Sequence, residues 1–294
     1  MKYQSKKTEL IQINEAMIGP LFMLSAALLF TLMTLMVKLI DPRYTVWHLG
    51  FIRCFGGMIL LLTIFGRDNN LYKGHNIPLL IVRGCTGSIA FIFSVTAIRI
   101  LPLSTSIVIF YSFPVFAAVF AFFIYKEHIG KFQIACIFMV IIGIAILFDF
   151  SLTGSLYGQS MALMGGVFAG FTVTLIRSLR ENNGPVIIYL YFCTMGTLVT
   201  MPQFIMEPII PASSIEWMMV LGIVLTSITA QLLMNQGFFY CKGWEGGVYM
   251  STETIFTAFV GIVLLNEPVS WRFYAGGLLI IGSGVALNWL KRYD

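Results

Sequence analysis

The chain has 294 residues, of which 58% are hydrophobic and 11% charged. Globular domains carry roughly a quarter charged residues, so this chain cannot cover a water-facing surface, and its mean hydropathy of +0.89 makes lipid the solvent for most of it. Disordered, collagen-like and coiled-coil readings fall with the same figures; the net charge of +5, scattered in ones and twos between apolar runs, reads as a membrane-orientation signal and not as a nucleic-acid surface.

In chain order, residues 1–16 are polar and hold no small-residue cleavage site after an apolar run, so a cytoplasmic N-terminal segment is expected and not a cleaved signal peptide. A helix needs about 20 apolar residues to cross a bilayer. Ten such runs follow, at residues 17–39, 45–65, 78–98, 103–124, 131–149, 157–178, 187–206, 215–239, 246–266 and 271–290. The breaks carry turn formers such as Asp41-Pro42, Asn182-Asn183-Gly184-Pro185 and Glu267-Pro268. Runs such as Ile137-Phe138-Met139-Val140-Ile141-Ile142 do not alternate, which excludes a transmembrane β-barrel. With the N-terminus in the cytoplasm, 13 Lys and Arg fall inside, four outside (Lys38, Arg43, Arg99, Arg272) and Arg53 within a span. Arg83 and Arg180 count with the inside group. This bias predicts a multi-pass protein of the cell (inner or plasma) membrane, with both termini cytoplasmic and residues 291–294 as a short tail.

The five cysteines are isolated in or beside apolar runs and form no C-x-x-C, so neither a disulfide framework nor a zinc site is expected. An internal repeat is visible. Lys126 to Leu147 can be laid on Asn266 to Leu287 at an offset of 140, with Glu127 on Glu267, Ala135 on Ala275 and Ile141 on Ile281. Five spans per repeat is an odd number, so the halves enter the membrane in opposite senses. Inverted repeats of this kind place a substrate site near the midplane between the halves. The expected fold is all-α integral membrane, ten transmembrane helices as two inverted five-helix repeats, divided at 17–149 and 150–290.

On these features the sequence resembles the EamA-type members of the drug/metabolite transporter superfamily. The resemblance rests on Arg53 in the second span, on LPLSTSIVIFYSFPVFAAVFAFFIYKEH (Leu101 to His128) and on YMSTETIFTAFVGIVLLNEP (Tyr249 to Pro268). Glu127 and Glu267 close the fourth span of each half, and Gly143 and Gly282/Gly284 lie near the end of the next. Where the second repeat of the family often has Glu-Pro, this chain has Glu253 followed by Thr254; Pro114 stands at the corresponding place of the first. The resemblance implies secondary transport of a small-molecule substrate by alternating access: a small organic metabolite (amino-acid-like, nucleoside- or cofactor-like), or drugs in a multidrug exporter.

Charged side chains in hydrocarbon are costly, so each needs a reason. All four Asp and all three His fall at span ends or in tails; among acids only Glu253 sits well inside a span, and among bases only Arg53. At 1.5 Å per residue, Glu253 lies about 10 Å from the cytoplasmic edge and Arg53 about 12 Å from the outer one, in a core about 30 Å thick. Both are expected to face a central cavity, pairing with each other or with a zwitterionic substrate; the bland alternative is a structural ion pair. Glu253 is the expected proton carrier if a coupling proton, and not a counter-solute, drives transport. Ser227, Gln231 and Asn235 share one face of the eighth span, and Tyr249, Glu253 and Thr257 one face of the ninth. Tyr111 is a candidate for stacking on a planar substrate. Expected substrate- or proton-binding residues are therefore Glu253, Arg53, Gln231, Asn235, Tyr249, Tyr111 and Thr257. Gly165, Gly166 and Gly170 include a Gly-x-x-x-Gly spacing for close helix approach, and Pro114 and Pro202 are expected to kink their helices.

No H-E-x-x-H helix, P-loop, or membrane-depth His or Asp exists, which disfavours an intramembrane enzyme or a nucleotide-driven pump. A channel would show a repeated filter or a ring of charges. No catalytic residue, metal or cofactor is expected, and the partners are the substrate and the lipid bilayer, in a monomer or homodimer.

Overall fold

In a computed structural model the described residues are 2–67, 70–101, 106, 109–126, 130–147, 156–265 and 271–290, and they are helical apart from short connections. Eleven helices are seen among them: α1 (Lys2–Leu39), α2 (Val46–Phe65), α3 (Ile77–Ile100), α4 (Phe113–Tyr125), α5 (Lys131–Leu147), α6 (Leu156–Arg180), α7 (Pro185–Met206), α8 (Ser214–Tyr240), α9 (Gly243–Met250), α10 (Glu253–Leu265) and α11 (Trp271–Leu290). Six are long and apolar enough to cross a membrane: Met17–Leu39 of α1, α2, α3, α6, α7 and α8. α4 and parts of α5 and α11 are shorter apolar helices.

These elements follow from local chemistry. Apolar runs with no water-accessible partner for the backbone must satisfy their N–H and C=O groups internally, and a helix does so within one segment. Side-chain caps start α3, where Asn76 accepts from the Leu79 amide, and α8, where Ser213 accepts from that of Glu216. Proline opens α3, α4 and α7, where its missing N–H removes nothing from the helix.

The fourth and ninth expected spans differ from simple rods. Residues 246–266 are not one helix. α9 ends at Met250 and α10 begins at Glu253, with a turn at Ser251-Thr252. In the first half, Tyr111-Ser112 forms a turn before α4. Pro114 therefore sits in the first turn of α4 and starts a helix instead of kinking one. Pro202 does lie inside α7. α4 and α10 are each 13 residues long and begin at Phe113 and Glu253, 140 positions apart. Lys131 and Trp271, which open α5 and α11, are separated by the same interval. Glu127, His128 and Glu267, on which the repeat was partly read, lie outside the described residues, as do Pro102, Pro268 and the tail 291–294.

α1 packs on α8 and on α9 and α10; α3 packs on α6 and α7; α2 packs on α7; α4 lies on α6 and α9; α5 pairs with α11. The glycines permit these approaches. A Cβ on Gly166 would stand 3.0 Å from the Phe110 carbonyl oxygen, and one on Gly170 2.8 Å from that of Phe113, so the chain around the start of α4 rests directly on the Gly-x-x-x-Gly face of α6. The core runs through the centre of the bundle, with Met23, Tyr44, Leu49, Leu80, Ile176 and Phe238 almost fully buried. Large hydrophobic residues such as Phe123, Leu221 and Leu278 are exposed on the outer face, as a lipid-facing surface requires. All five cysteines are free.

Both ends of the bundle are tied by polar contacts. At one end, Arg180 donates to the Asn235 carbonyl at 3.0 Å, to Gln236 at 2.8 Å and to the Asn183 carbonyl, while Asn183 exchanges two hydrogen bonds with the backbone of His75. At the other, Glu216 accepts from Arg43 and from Tyr44, and Arg99 donates to the Tyr44 carbonyl at 3.0 Å. Arg180 thus carries less exposed surface than its place among cytoplasmic charges implied; it is 8% exposed because it staples helix ends together.

Candidate functional site

A cavity of about 170 Å³ lies at the centre of the bundle between the first and second halves of the chain. α1 contributes Phe30, Met33, Thr34 and Val37; α3 contributes Arg83, Phe91 and Ser94, among others. α6 adds Thr172 and Val173, and α7 adds Phe192. Both broken spans reach it: Tyr111 and Phe113 at the first break, Met250 and Glu253 at the second. A helix interruption exposes the N-terminal amides of the following half-helix, and in membrane proteins irregular backbone is tolerated where it lines such a cavity.

The expected acid and base share this space. Arg53 and Glu253 both line the cavity, and among the described residues neither forms an ion pair. Each is occupied otherwise. The Tyr111 hydroxyl donates to Glu253 Oε2, and the Thr31 hydroxyl donates to the Glu253 carbonyl at 3.4 Å. Arg53 donates from Nη2 to Gln231 Oε1 at 3.4 Å. Its guanidinium carbon lies 4.4 Å from the Phe91 ring centre, 5.4 Å from Phe192 and 6.0 Å from Phe30. Aromatic faces attract a cation, so three rings hold the charge in place and leave its Nε buried without a hydrogen-bond partner.

Gln231 and Tyr111 both line this cavity. Tyr111, the candidate stacking residue, donates its hydroxyl hydrogen bond to Glu253. Asn235, one turn past Gln231, does not line the cavity. It is fully buried, and its amide donates to the Pro185 carbonyl at 3.2 Å, tying α8 to the start of α7. Tyr249 and Thr257 are buried but not among the cavity-lining residues; the turn at 251–252 separates Tyr249 from the face of Glu253, whereas Thr257 lies one turn past Glu253 on α10.

The sequence reading missed Arg83. The charge bias places it with the cytoplasmic group, yet it is 1% exposed and lines the cavity from α3. Its guanidinium carbon is 4.9 Å from the ring centre of Phe192, the same ring that Arg53 faces. Its Nε and Nη1 are buried without a hydrogen-bond partner. The signal in the sequence is slight: Arg83 lies six residues past the first residue of α3, where a long side chain can reach either the interface or the interior. Among the described residues, no group of three or more His, Cys, Asp or Glu has the arrangement of a metal site.

Comparison with known proteins agrees with this architecture. The model of the EamA-like transporter family matches the chain twice, at residues 17–149 and 156–289. The pseudopaline exporter CntI of Pseudomonas aeruginosa (strain UCBPP-PA14) is 25% identical over 284 residues, which cover 93% of this chain and 97% of that one. Solute carrier family 35 member G1 of Homo sapiens is 22% identical, over 94% of this chain and 80% of its own length. A solved crystal structure superposes with a TM-score of 0.75 over 94% of this chain and 98% of the other, at 17% identity, which is a likeness of fold. These relatives are transporters, and a non-enzymatic transport role is the one this multi-pass membrane chain shares with them. Matched twice along a helical bundle that encloses a polar-studded central cavity, the chain belongs to the EamA-like transporter family.

Proposed function

We propose that this chain is a secondary transporter that moves a small organic metabolite, amino-acid-like, nucleoside-like or cofactor-like, by alternating access. Its ten spans form two inverted five-helix repeats, residues 17–149 and 150–290, in the cell membrane with both termini cytoplasmic. The observation that carries this reading is the cavity on which Arg53 and Glu253 converge from different halves. The repeat is supported by the paired breaks before Phe113 and Glu253 and by the packing pattern. Exchanging the first five spans with the last five turns the α1·α8 contact into the α6·α3 contact, and the contacts of α4 with α6 into those of α9 and α10 with α1. Five spans per half make the two senses of insertion opposite. The polar staples at the two ends, around Arg180 and Glu216, would open in turn as the halves rock, so that the cavity meets one face of the membrane at a time.

Glu253 is the group that exchanges a coupling proton or holds a cationic part of the solute, with Tyr111 orienting its carboxylate. The test is solute counterflow in proteoliposomes, with and without an imposed pH gradient. Wild type exchanges solute with saturation, and Glu253→Gln abolishes the exchange or its response to the gradient. Full, gradient-sensitive transport by Glu253→Gln sinks this role. Multidrug export is the second reading, favoured by the apolar lining of Phe30, Met33, Phe110 and Met234. Competition by hydrophobic cations but not by zwitterions would select it.

A further inference from the structure

Arg83 and Arg53 are more than packing residues. Guanidinium stays charged in proteins, and a charge taken out of water is costly unless it is paired and hydrogen-bonded. Here two such groups line one cavity with three of their nitrogens buried and unpartnered: Nε of Arg53, and Nε and Nη1 of Arg83. Neither has an acidic partner among the described residues. The single acid in the cavity, Glu253, accepts from Tyr111 instead. The two guanidinium carbons lie 5.4 Å and 4.9 Å from the centre of the one Phe192 ring, so they are at most 10.3 Å apart. Like charges held this close in an enclosed space repel, and among the described residues only aromatic rings and the Gln231 amide, with no ion pair, stand against that repulsion.

We propose that Arg53 and Arg83 form a carboxylate-binding clamp, and that the substrate is an aminodicarboxylate whose two carboxylates meet the guanidiniums while its ammonium faces Glu253. This rests on the reading of the cavity as the solute site. The charge balance selects the class: two cations and one anion on the walls are complemented by two anions and one cation in the ligand. Geometry agrees, because guanidinium forks bind carboxylates through two parallel hydrogen bonds. Phe91, Phe30 and Phe192 hold the Arg53 head and supply apolar walls for the carbon skeleton between the charged ends.

The experiment measures ligand-induced thermal stabilisation of the purified, detergent-solubilised full chain. The probes are L-glutamate, L-aspartate and iminodiacetate, each beside its diamide at matched ionic strength. The dicarboxylates stabilise wild type and the diamides do not. Arg83→Met weakens dicarboxylate binding about tenfold or more, the range for a lost charge-assisted hydrogen bond, and Arg83→Lys recovers part of it. Without ligand, Arg83→Met melts no lower than wild type, because it removes an uncompensated buried charge. The clamp is overturned if no dicarboxylate binds, if diamides bind equally well, if Arg83→Met binds dicarboxylates as wild type does, or if ligand-free Arg83→Met is clearly less stable. The transport reading fails separately: proteoliposomes that carry no solute while dicarboxylates still bind would remove transport and leave the clamp, whereas saturable flux indifferent to carboxylates would do the reverse.

Discussion

Replacing Gly170 with alanine adds one methyl group at the place where α6 meets the start of α4. The new Cβ would stand 2.7 Å from Phe116 Cβ, 2.8 Å from the Ala117 amide nitrogen and 2.8 Å from the Phe113 carbonyl oxygen. Optimal contact between carbon atoms is about 3.5–4.0 Å, so each approach is too close by roughly an ångström. Two of the three atoms are backbone, and no rotamer change relieves them; α4 must move away from α6. Forced overpacking of this kind costs about 1–3 kcal/mol. Alanine also gains about 1 kcal/mol of helix propensity over glycine, which would mask part of the loss. Gly282 provides the control. It lies on α11 with nothing within 4 Å of its Cβ position, so Gly282→Ala takes the same propensity gain without a clash. The difference between the two variants isolates the overlap. At about 2–4 °C per kcal/mol for chains somewhat smaller than this one, Gly170→Ala should melt roughly 2–12 °C below Gly282→Ala. The assay is loss of the monodisperse peak on size-exclusion chromatography after heating in detergent. Because Tyr111 and Phe113 at the head of α4 line the cavity, the displacement should also lower solute counterflow. Gly170→Ala melting as high as Gly282→Ala would refute the argument that α4 rests on this glycine face.

Two further outcomes follow from the site. Tyr111→Phe removes the hydroxyl that donates to Glu253; a hydrogen bond to a charged group contributes about 1.5–3 kcal/mol, so initial rates of counterflow should fall about 10- to 100-fold, and an unchanged rate would show that the hydroxyl does not orient the carboxylate. Asn235→Ala should lower the melting temperature through loss of the 3.2 Å bond to the Pro185 carbonyl, about 1 kcal/mol, and leave the profile of competing solutes unchanged, whereas Gln231→Ala should alter that profile; the opposite pattern would exchange the roles assigned to the two amides.

The amides show how far a one-dimensional pattern reaches. Gln231 and Asn235 lie four residues apart on one helical face, and the spacing places them together. Whether that face meets a cavity or a neighbouring helix changes within one turn, because α7 begins at Pro185 beside Asn235 while Phe192, two turns on, lines the cavity that Gln231 also lines. Tyr249 is a related case: helical spacing from Glu253 does not run back to it through Ser251-Thr252, where the backbone turns, while Thr257 keeps that spacing on α10. Without a proline at Ser251-Thr252, regular spacing gives no sign of this break.

What the sequence by itself determined is the solvent, and it pointed to a repeated pattern. Apolar runs with few charges read as lipid-facing helices, and similar residues recurring 140 positions apart point to the double match of the family model at 17–149 and 156–289. It also singled out Glu253 and Arg53, since a charge in mid-span is conspicuous whatever surrounds it. Only the tertiary structure decided that Arg83 belongs with them. A long arginine near a span end can reach either the interface or the interior, and which one it takes depends on the helices packed around it, here on the Phe192 ring brought against α3 by α7.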